Sequence, residues 1–341
     1  SHAHAITHTA AGHATLSTGV YPSRSGIVAN DWQHRSGGAW IPMYSVEDAG
    51  SPIVGFDWME GRSPKNLLRG GLADWVLAAD ADARVVSLSG KDRAAITMAG
   101  KTKTHVYWLA EAAPSFVTST YYRDEMPGWV KDFNEDVLPE ILGDTVWEQK
   151  VPPEFRTLAR ADSAVYERDG VHTVFPHTST SADSLERSLW TLTQPNTDRA
   201  VSLMAREAID VLDLGQRDHV DYLALSFSAT DHVGHAYGPL SQEQLDNLVR
   251  LDRELGDLFE YLDERVGEGR WVAGFSGDHG VMTMPEHLAS EGEEAVRISG
   301  SERRGALGQA LQEAFHSEGT PDQIAARMAR AAEAAGLVAK A

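Results

Sequence analysis

No cysteine occurs among the 341 residues, which excludes disulfides, thiolate metal sites and a cysteine nucleophile. No uninterrupted run of about 18 apolar residues occurs either, so no membrane-spanning helix is expected, and no signal-peptide pattern opens the chain. Basic residues are scarce beside acidic ones, 30 Lys and Arg against 50 Asp and Glu, for a net charge of −20. Such a field repels a nucleic-acid backbone or an anionic membrane, so no binding of duplex nucleic acid is expected. A phosphate substrate would need bound metals, or a local cluster of Lys and Arg, to offset it. No internal repeat or low-complexity tract appears. What is present is enough apolar side chain, 42%, to bury the core of one large α/β domain or of two ordinary ones.

Apolar runs rich in β-branched residues recur between helical patterns. Ala83 to Leu88, His219 to Phe227 and Arg270 to Phe275 read as buried parallel strands. From Leu240 to Val266, apolar residues at Leu245, Leu248, Leu251, Leu255, Leu258, Leu262 and Val266 keep one helical face apolar, and Ser241 with Gln244 forms a capping box. Strand, long helix and strand over His219 to Phe275 predict a βαβ unit. Thr320-Pro321 marks the start of another helix. The stretch 107–196 has mixed patterns with many aromatics, Pro and Thr, and reads as an inserted cap or loop region.

Two clusters of carboxylate and imidazole follow predicted strands: Asp231 and His235 in SATDHVGHAYG, and Asp278 and His279 in FSGDHG. Ligand sites in open α/β sheets lie at the carboxyl ends of strands. Asp and His together suit zinc, manganese or iron. Gly234 and Gly280 beside them fit a backbone that turns sharply. A third cluster is HTAAGHATLSTGVYPSRSGIVAN, His8 to Asn30, where Ala10 to Ser17 can form a helix whose first N–H groups favour a phosphate. Thr7, Thr15, Ser17 and Thr18 are further hydroxyls there, read as caps or packed side chains. A fourth is SLSGKDRAAITMAG, Ser87 to Gly100.

The third cluster, with its Thr, Gly-His, Ser-Thr-Gly, Tyr-Pro, Gly-Ile and Asn, resembles the threonine-nucleophile branch of the alkaline phosphatase superfamily. That branch includes nucleotide pyrophosphatase/phosphodiesterases and periplasmic alkaline phosphatases. The resemblance implies an alkaline phosphatase-like α/β fold, a largely parallel central sheet flanked by helices. It implies Thr9 as nucleophile and a metal ligand, and Asn30 as a contact to a phosphoryl oxygen. Asp231, His235, Asp278 and His279 would hold two divalent metal ions, zinc by resemblance. The fourth cluster resembles the Lys-x-Arg element of the alkaline phosphatases, so Lys91 and Arg93 would bind non-bridging phosphate oxygens. GWVKDFN, Gly128 to Asn134, is similar to these enzymes as well.

The resemblance thus implies a metal-dependent hydrolase of phosphate monoesters that works through a phosphothreonine intermediate on a small phosphorylated substrate, in the periplasm or secreted. The alternatives are a phosphodiesterase or nucleotide pyrophosphatase, and an impaired fragment that only binds phosphate. A sulfatase is disfavoured because no Cys/Ser-x-Pro-x-Arg context surrounds Thr9. The family's metal-binding Asp upstream of the nucleophile and its far-downstream His have no counterpart here. The chain also opens without Met, in SHAHAITHTAAGH. Residues 1–341 are therefore expected to be one catalytic domain incomplete at both ends. His13 is read as scaffold, His2, His4 and His8 as a frayed end, and His287 and His316 as surface side chains.

Overall fold

The computed structural model describes residues 6–110, 112–167, 170–297, 301, 305, 308–309, 312 and 319–334. His2, His4 and His316 lie outside them. The chain divides into two compact units, one running to Met282 and one from Thr283.

The first unit opens with helix α1 (Thr9–Thr18) and a hairpin of β1 (Asp31–Ser36) and β2 (Ala39–Tyr44). Helix α2 (Leu72–Ala79) leads to β3 (Val85–Ser89), α3 (Asp92–Met98), β4 (His105–Ala110) and β5 (Ser115–Val117). A minimal pair, β6 (Val146–Trp147) and β7 (His177–Thr178), precedes α4 (Ser184–Leu192) and α5 (Asn196–Val211). Then come β8 (Tyr222–Ser226), α6 (Ala229–Tyr237) and α7 (Gln242–Arg265). The central sheet has the order β5-β4-β3-β8, with β3 parallel to both β4 and β8 and only β5 antiparallel.

The period of two along β4 decides which layer each side chain joins. Tyr107 and Leu109 pack with Leu88, Phe116, Met204 and Ile209 between sheet and α5, while Val106 and Trp108 pack with Ile96, Val117 and Ile53 on the other face. Burying side chains of this size contributes roughly 1.5–3 kcal/mol each, and β3, between the two layers, is buried at every position, its serines included. Asn134 secures the edge strand: its carboxamide accepts from Phe116 N at 2.8 Å and donates to Phe116 O at 2.9 Å.

Three expectations change. The predicted strand Arg270 to Phe275 is not a strand: it joins no sheet, Val272 is 95% exposed and Phe275 77%. An apolar run becomes a strand only where a neighbouring edge offers backbone partners, and Trp271 instead lies on α7, its ring 5.1 Å from that of Phe259. The βαβ unit therefore reduces to β8 and the long helix. Second, Tyr107 to Ala110 and Ser115 to Val117, which fall in the interval read as a cap, are parts of strands β4 and β5 of the central sheet. Third, the first two turns of α7 bury Gln242, Glu243, Asp246 and Asn247 rather than an apolar stripe. Ser241 does cap Gln244 N at 3.0 Å, but the Gln244 side chain donates to Thr230 O at 3.3 Å instead of closing a box.

The second unit contains the short helix Pro285–Ser290 and the helix Pro321–Ala334. Thr320 caps the latter, with Gln323 N donating to its hydroxyl at 3.3 Å and the Gln323 side chain accepting from Thr320 N at 3.0 Å. His287 pairs with Glu291 at 3.6 Å. Among the described residues no helix is long and apolar enough to cross a membrane.

Candidate active site at the carboxyl ends of the strands

The parallel strands β3 and β8 end side by side, Ser89 in register with Ser226, and each feeds a helix within a few residues. Strand β3 delivers Lys91 and α3 with Arg93; β8 delivers α6 with Asp231 and His235. A parallel ladder thus brings together residues about 140 positions apart. Asp198 of α5 fixes the start of α6 by accepting from Ala229 N at 2.9 Å, and burial raises its carboxyl to about 7.

Helix α1 carries Thr9 as its first residue, buried at 4% exposure. His13, one turn on, ties this helix to β8. Its Nδ1 lies 2.8 Å from Thr9 O and its Nε2 2.9 Å from the Ser226 hydroxyl. A carbonyl only accepts, so Nδ1 carries the proton. The same Nδ1 is 3.3 Å from Asp278 Oδ2. Burial alone would raise the Asp278 carboxyl, but the neighbouring His13 ring outweighs it and holds it below its ordinary value.

Gly12 is what lets the Asp278 segment reach α1. A Cβ there would stand 2.3 Å from Asp278 O and 2.9 Å from Asp278 Cβ. Gly12→Ala is therefore expected to cost about 1–3 kcal/mol through overpacking and to push Asp278 and His279 away from Thr9. Thermal unfolding and turnover should both fall; if neither changed, the segment would not be seated on this helix.

His279 points into the cluster. Its Nδ1 donates to Gly280 O at 3.1 Å, which leaves Nε2 unprotonated in the neutral ring, 3.5 Å from Thr9 Oγ1, 3.3 Å from Asp278 Oδ2 and 3.7 Å from Asp231 Oδ1. His235 Nε2 lies 3.3 Å from the same Asp231 oxygen. That Oδ1 is buried and has no hydrogen bond, while Oδ2 pairs with the ammonium of Lys91, itself 6% exposed. Burial would raise the Asp231 carboxyl, yet His235 and Lys91 more than reverse this and hold it well below the usual range. Desolvation and the charge of Lys91 push half-buried His232 down to about 3. A buried carboxylate oxygen without a hydrogen bond and imidazole nitrogens 3.3 and 3.7 Å from it are the donor types a divalent cation takes, although these atoms do not form a group of three all within 4.8 Å of one another.

Asn30 Oδ1 accepts from Ala10 N at 2.9 Å, so that helix N–H is already used and the carboxamide NH2 is left to donate elsewhere. His8, expected to be frayed, is the N-cap residue of α1, and its Nδ1 accepts from Asn30 N at 3.4 Å. Arg93 donates from Nη1 to the Tyr44 hydroxyl at 3.4 Å and feels the charge of Asp231. Thr9, Asn30, Lys91, Arg93, Asp231, His235, Asp278 and His279 thus lie around one site. Of the other hydroxyls, Thr18 donates to Ala14 O at 2.6 Å and Ser17 to Met98 O at 3.4 Å, both as packed groups. The two glycines serve differently from the expectation: Gly234 sits inside α6 with Val281 against it, where a Cβ would come within 3.2 Å, and Gly280 has open space around it.

The motifs left some residues of the site unnoticed. Tyr44 bonds Arg93 and Asp92, and Arg62 bonds Asp92, from positions too far back in the chain for a spacing rule to link them. Another group also escaped notice. Asp80, Asp82 and His219 bring one ligand atom each within 4.8 Å of one another, a possible metal-holding trio among the described residues. It lies before β3 and β8, at the opposite ends of the strands, and Asp80 already accepts from His219 Nδ1 at 2.8 Å.

The sheet order, the flanking helices and this cluster at the strand ends define an alkaline phosphatase-like fold. The family model of type I phosphodiesterase / nucleotide pyrophosphatase matches residues 2–336, and the chain belongs to that family, within the alkaline phosphatase superfamily. It is 37% identical over 288 residues to alkaline phosphatase PhoV of Synechococcus elongatus, covering 83% of this chain and 52% of that protein. To alkaline phosphatase PafA of Elizabethkingia meningoseptica it is 35% identical over 276 residues, 80% of this chain and 50% of that one. The crystal structure of wild-type PafA superposes with a TM-score of 0.80 at 31% identity, over 92% of this chain and 60% of the other. The chain thus spans about half the length of the curated relatives it matches.

Proposed function

We propose that this chain carries the catalytic centre of a metal-dependent phosphate monoester hydrolase that works through a phosphothreonine. The observation that carries the reading is the Thr9 hydroxyl, buried at the start of α1 and facing His279 Nε2 at 3.5 Å, in a site that also gathers two Asp-His pairs and two cations. Asp231, His235, Asp278 and His279 would hold two divalent ions, zinc by family likeness. Bound there, such ions supply a lowered pKa for the Thr9 hydroxyl and charge stabilisation for the leaving oxygen. Thr9 Oγ attacks phosphorus, the bond to the leaving alcohol breaks, and water then cleaves the phosphothreonine to free phosphate and regenerate the hydroxyl. The Asn30 NH2 group and the Arg93 guanidinium donate to non-bridging oxygens. Lys91, with three N–H donors, can keep Asp231 and still reach a phosphoryl oxygen. Resemblance to alkaline phosphatases further suggests a periplasmic or secreted protein acting on small phosphorylated substrates.

A second reading, a phosphodiesterase or nucleotide pyrophosphatase, is favoured by the name of the matching family. Charge separates the two. A monoester carries one more negative charge and one more free oxygen than a diester, so cations aimed at that oxygen favour monoesters. Arg93→Ala is expected to lower monoester kcat/KM roughly ten- to hundred-fold, the loss of about 1.5–3 kcal/mol of charge-assisted hydrogen bonding, and diester kcat/KM much less. Both substrates should carry the same leaving group. Equal losses would assign Arg93 to general binding, and a wild-type preference for the diester would establish the second reading.

A further inference from the structure

Arg93 is held by a set of side chains that reach it from elsewhere in the chain. Asp92 directly precedes it, and one carboxylate oxygen of Asp92 accepts from the Tyr44 hydroxyl at 2.6 Å and from Arg93 N at 2.6 Å. The other accepts from Arg62 Nε at 2.7 Å. The Arg62 guanidinium also lies 4.9 Å over the Tyr44 ring and donates to Gly61 O at 3.1 Å, so its place is set from several sides. Arg93 Nη1, by contrast, is 3.7 Å from Asp92 Oδ1, too far for a hydrogen bond. Its guanidinium has one hydrogen bond among the described residues, to the Tyr44 hydroxyl, and its Nε is buried without a partner.

The direction of each bond then follows. A phenol has one proton, and Tyr44 gives it to Asp92, so toward Arg93 it acts only as an acceptor. Burial and the neighbouring Asp92 both raise the Tyr44 pKa, so the hydroxyl stays protonated and keeps that arrangement. Arg62 bonds Asp92 directly at 2.7 Å, while Arg93 stays 3.7 Å from it, so Asp92 holds the Arg93 guanidinium only as a long ion pair. Without Arg62 or the Tyr44 hydroxyl, Asp92, already 3.7 Å away, is the carboxylate with which the Arg93 guanidinium would close a direct hydrogen bond.

We propose that Tyr44 and Arg62 are positioning residues for Arg93: Tyr44 holds the guanidinium by its hydroxyl oxygen, and Arg62 keeps Asp92 from capturing it. The pair would thereby set the preference for phosphate monoesters over diesters. This rests on the reading of Arg93 as a phosphate-binding cation, and a double-mutant cycle separates the two. In the metal-loaded enzyme, Tyr44→Phe, which keeps the ring under Arg62, is expected to lower monoester kcat/KM by about ten-fold, the size of one hydrogen bond to a charged group. Diester kcat/KM should fall less than about three-fold, and inorganic phosphate should become a correspondingly weaker competitive inhibitor. Arg62→Gln, which leaves Tyr44 intact, should act in the same direction. In an Arg93→Ala background, neither substitution should lower monoester turnover by more than about two-fold, because the group they position is gone. A Tyr44→Phe loss that is as large without Arg93 as with it, or equal for monoester and diester, overturns the inference while leaving the role of Arg93 intact. An Arg93→Ala variant with an unchanged monoester to diester ratio overturns both.

Discussion

Thr9→Ala is expected to abolish steady-state turnover, by on the order of 10⁴-fold or more, since the covalent route loses the oxygen that accepts the phosphoryl group. Thr9→Ser should keep part of the rate. The expectation rests on position as well as residue type. Thr9 is the first residue of α1, buried, with its hydroxyl 3.5 Å from His279 Nε2. The other hydroxyls of the motif have different surroundings: Thr18 and Ser17 bond backbone carbonyls, and the Thr15 hydroxyl is buried without a hydrogen bond. Ser lacks the γ-methyl group that restricts χ1 in Thr, so Thr9→Ser keeps the nucleophile but not its fixed orientation. Acid quenching during turnover followed by mapping of the phosphopeptide checks the assignment. A phosphoryl group recovered on Thr15 rather than Thr9 would move the nucleophile about 1.7 turns along the helix and undo this site.

The strands that carry the site were legible because they are mostly apolar: β3 is buried throughout, and β8 is half-buried at Tyr222, Leu223 and Leu225. The same signal misled at Arg270 to Phe275, because a run of apolar residues reports a tendency and not the presence of a partner edge. Thr9 and the Asp231-His235 pair were legible as short motifs beside a helix start, whereas Asp278-His279 follows no strand and is placed by its seat against Gly12 of α1. Tyr44 and Arg62 were not legible. Tyr44 meets Arg93 from a hairpin and Arg62 meets Asp92 from a loop, and contacts across 49 and 30 positions have no local pattern. Gly12 was equally silent in sequence, since a glycine inside a helix looks like a mild defect until the Asp278 backbone is found against it. The buried polar start of α7 follows the same logic. Asp246 accepts from Trp147 Nε1 at 2.7 Å and Val151 N at 3.1 Å, so a carboxylate that reads as a surface residue is satisfied by groups a hundred positions away.

Asp231→Ala is expected to produce two separable losses, because Asp231 faces two kinds of partner. Both His235 and His279 approach its Oδ1, at 3.3 and 3.7 Å, so its removal should deprive bound metal of a shared ligand. Metal content should drop, and turnover should fall by about 10³-fold or more, beyond the 10- to 100-fold typical of groups outside the ligand shell. Its Oδ2 pairs with Lys91, which is 6% exposed. Breaking such a pair from one side leaves a buried ammonium without its counter-charge, which costs about 3–5 kcal/mol unless the lysine loses its proton. The chelator-treated protein should therefore also unfold at a lower temperature. Adding Lys91→Met to Asp231→Ala removes that stranded charge, and unfolding should return toward the wild-type temperature while metal content stays low. If the double variant recovered metal as well as stability, Asp231 would be the partner of Lys91 and not a ligand. If Asp231→Ala bound as much zinc as the wild type, the ligand set would have to be sought elsewhere, with the Asp80, Asp82 and His219 trio as the first group to test.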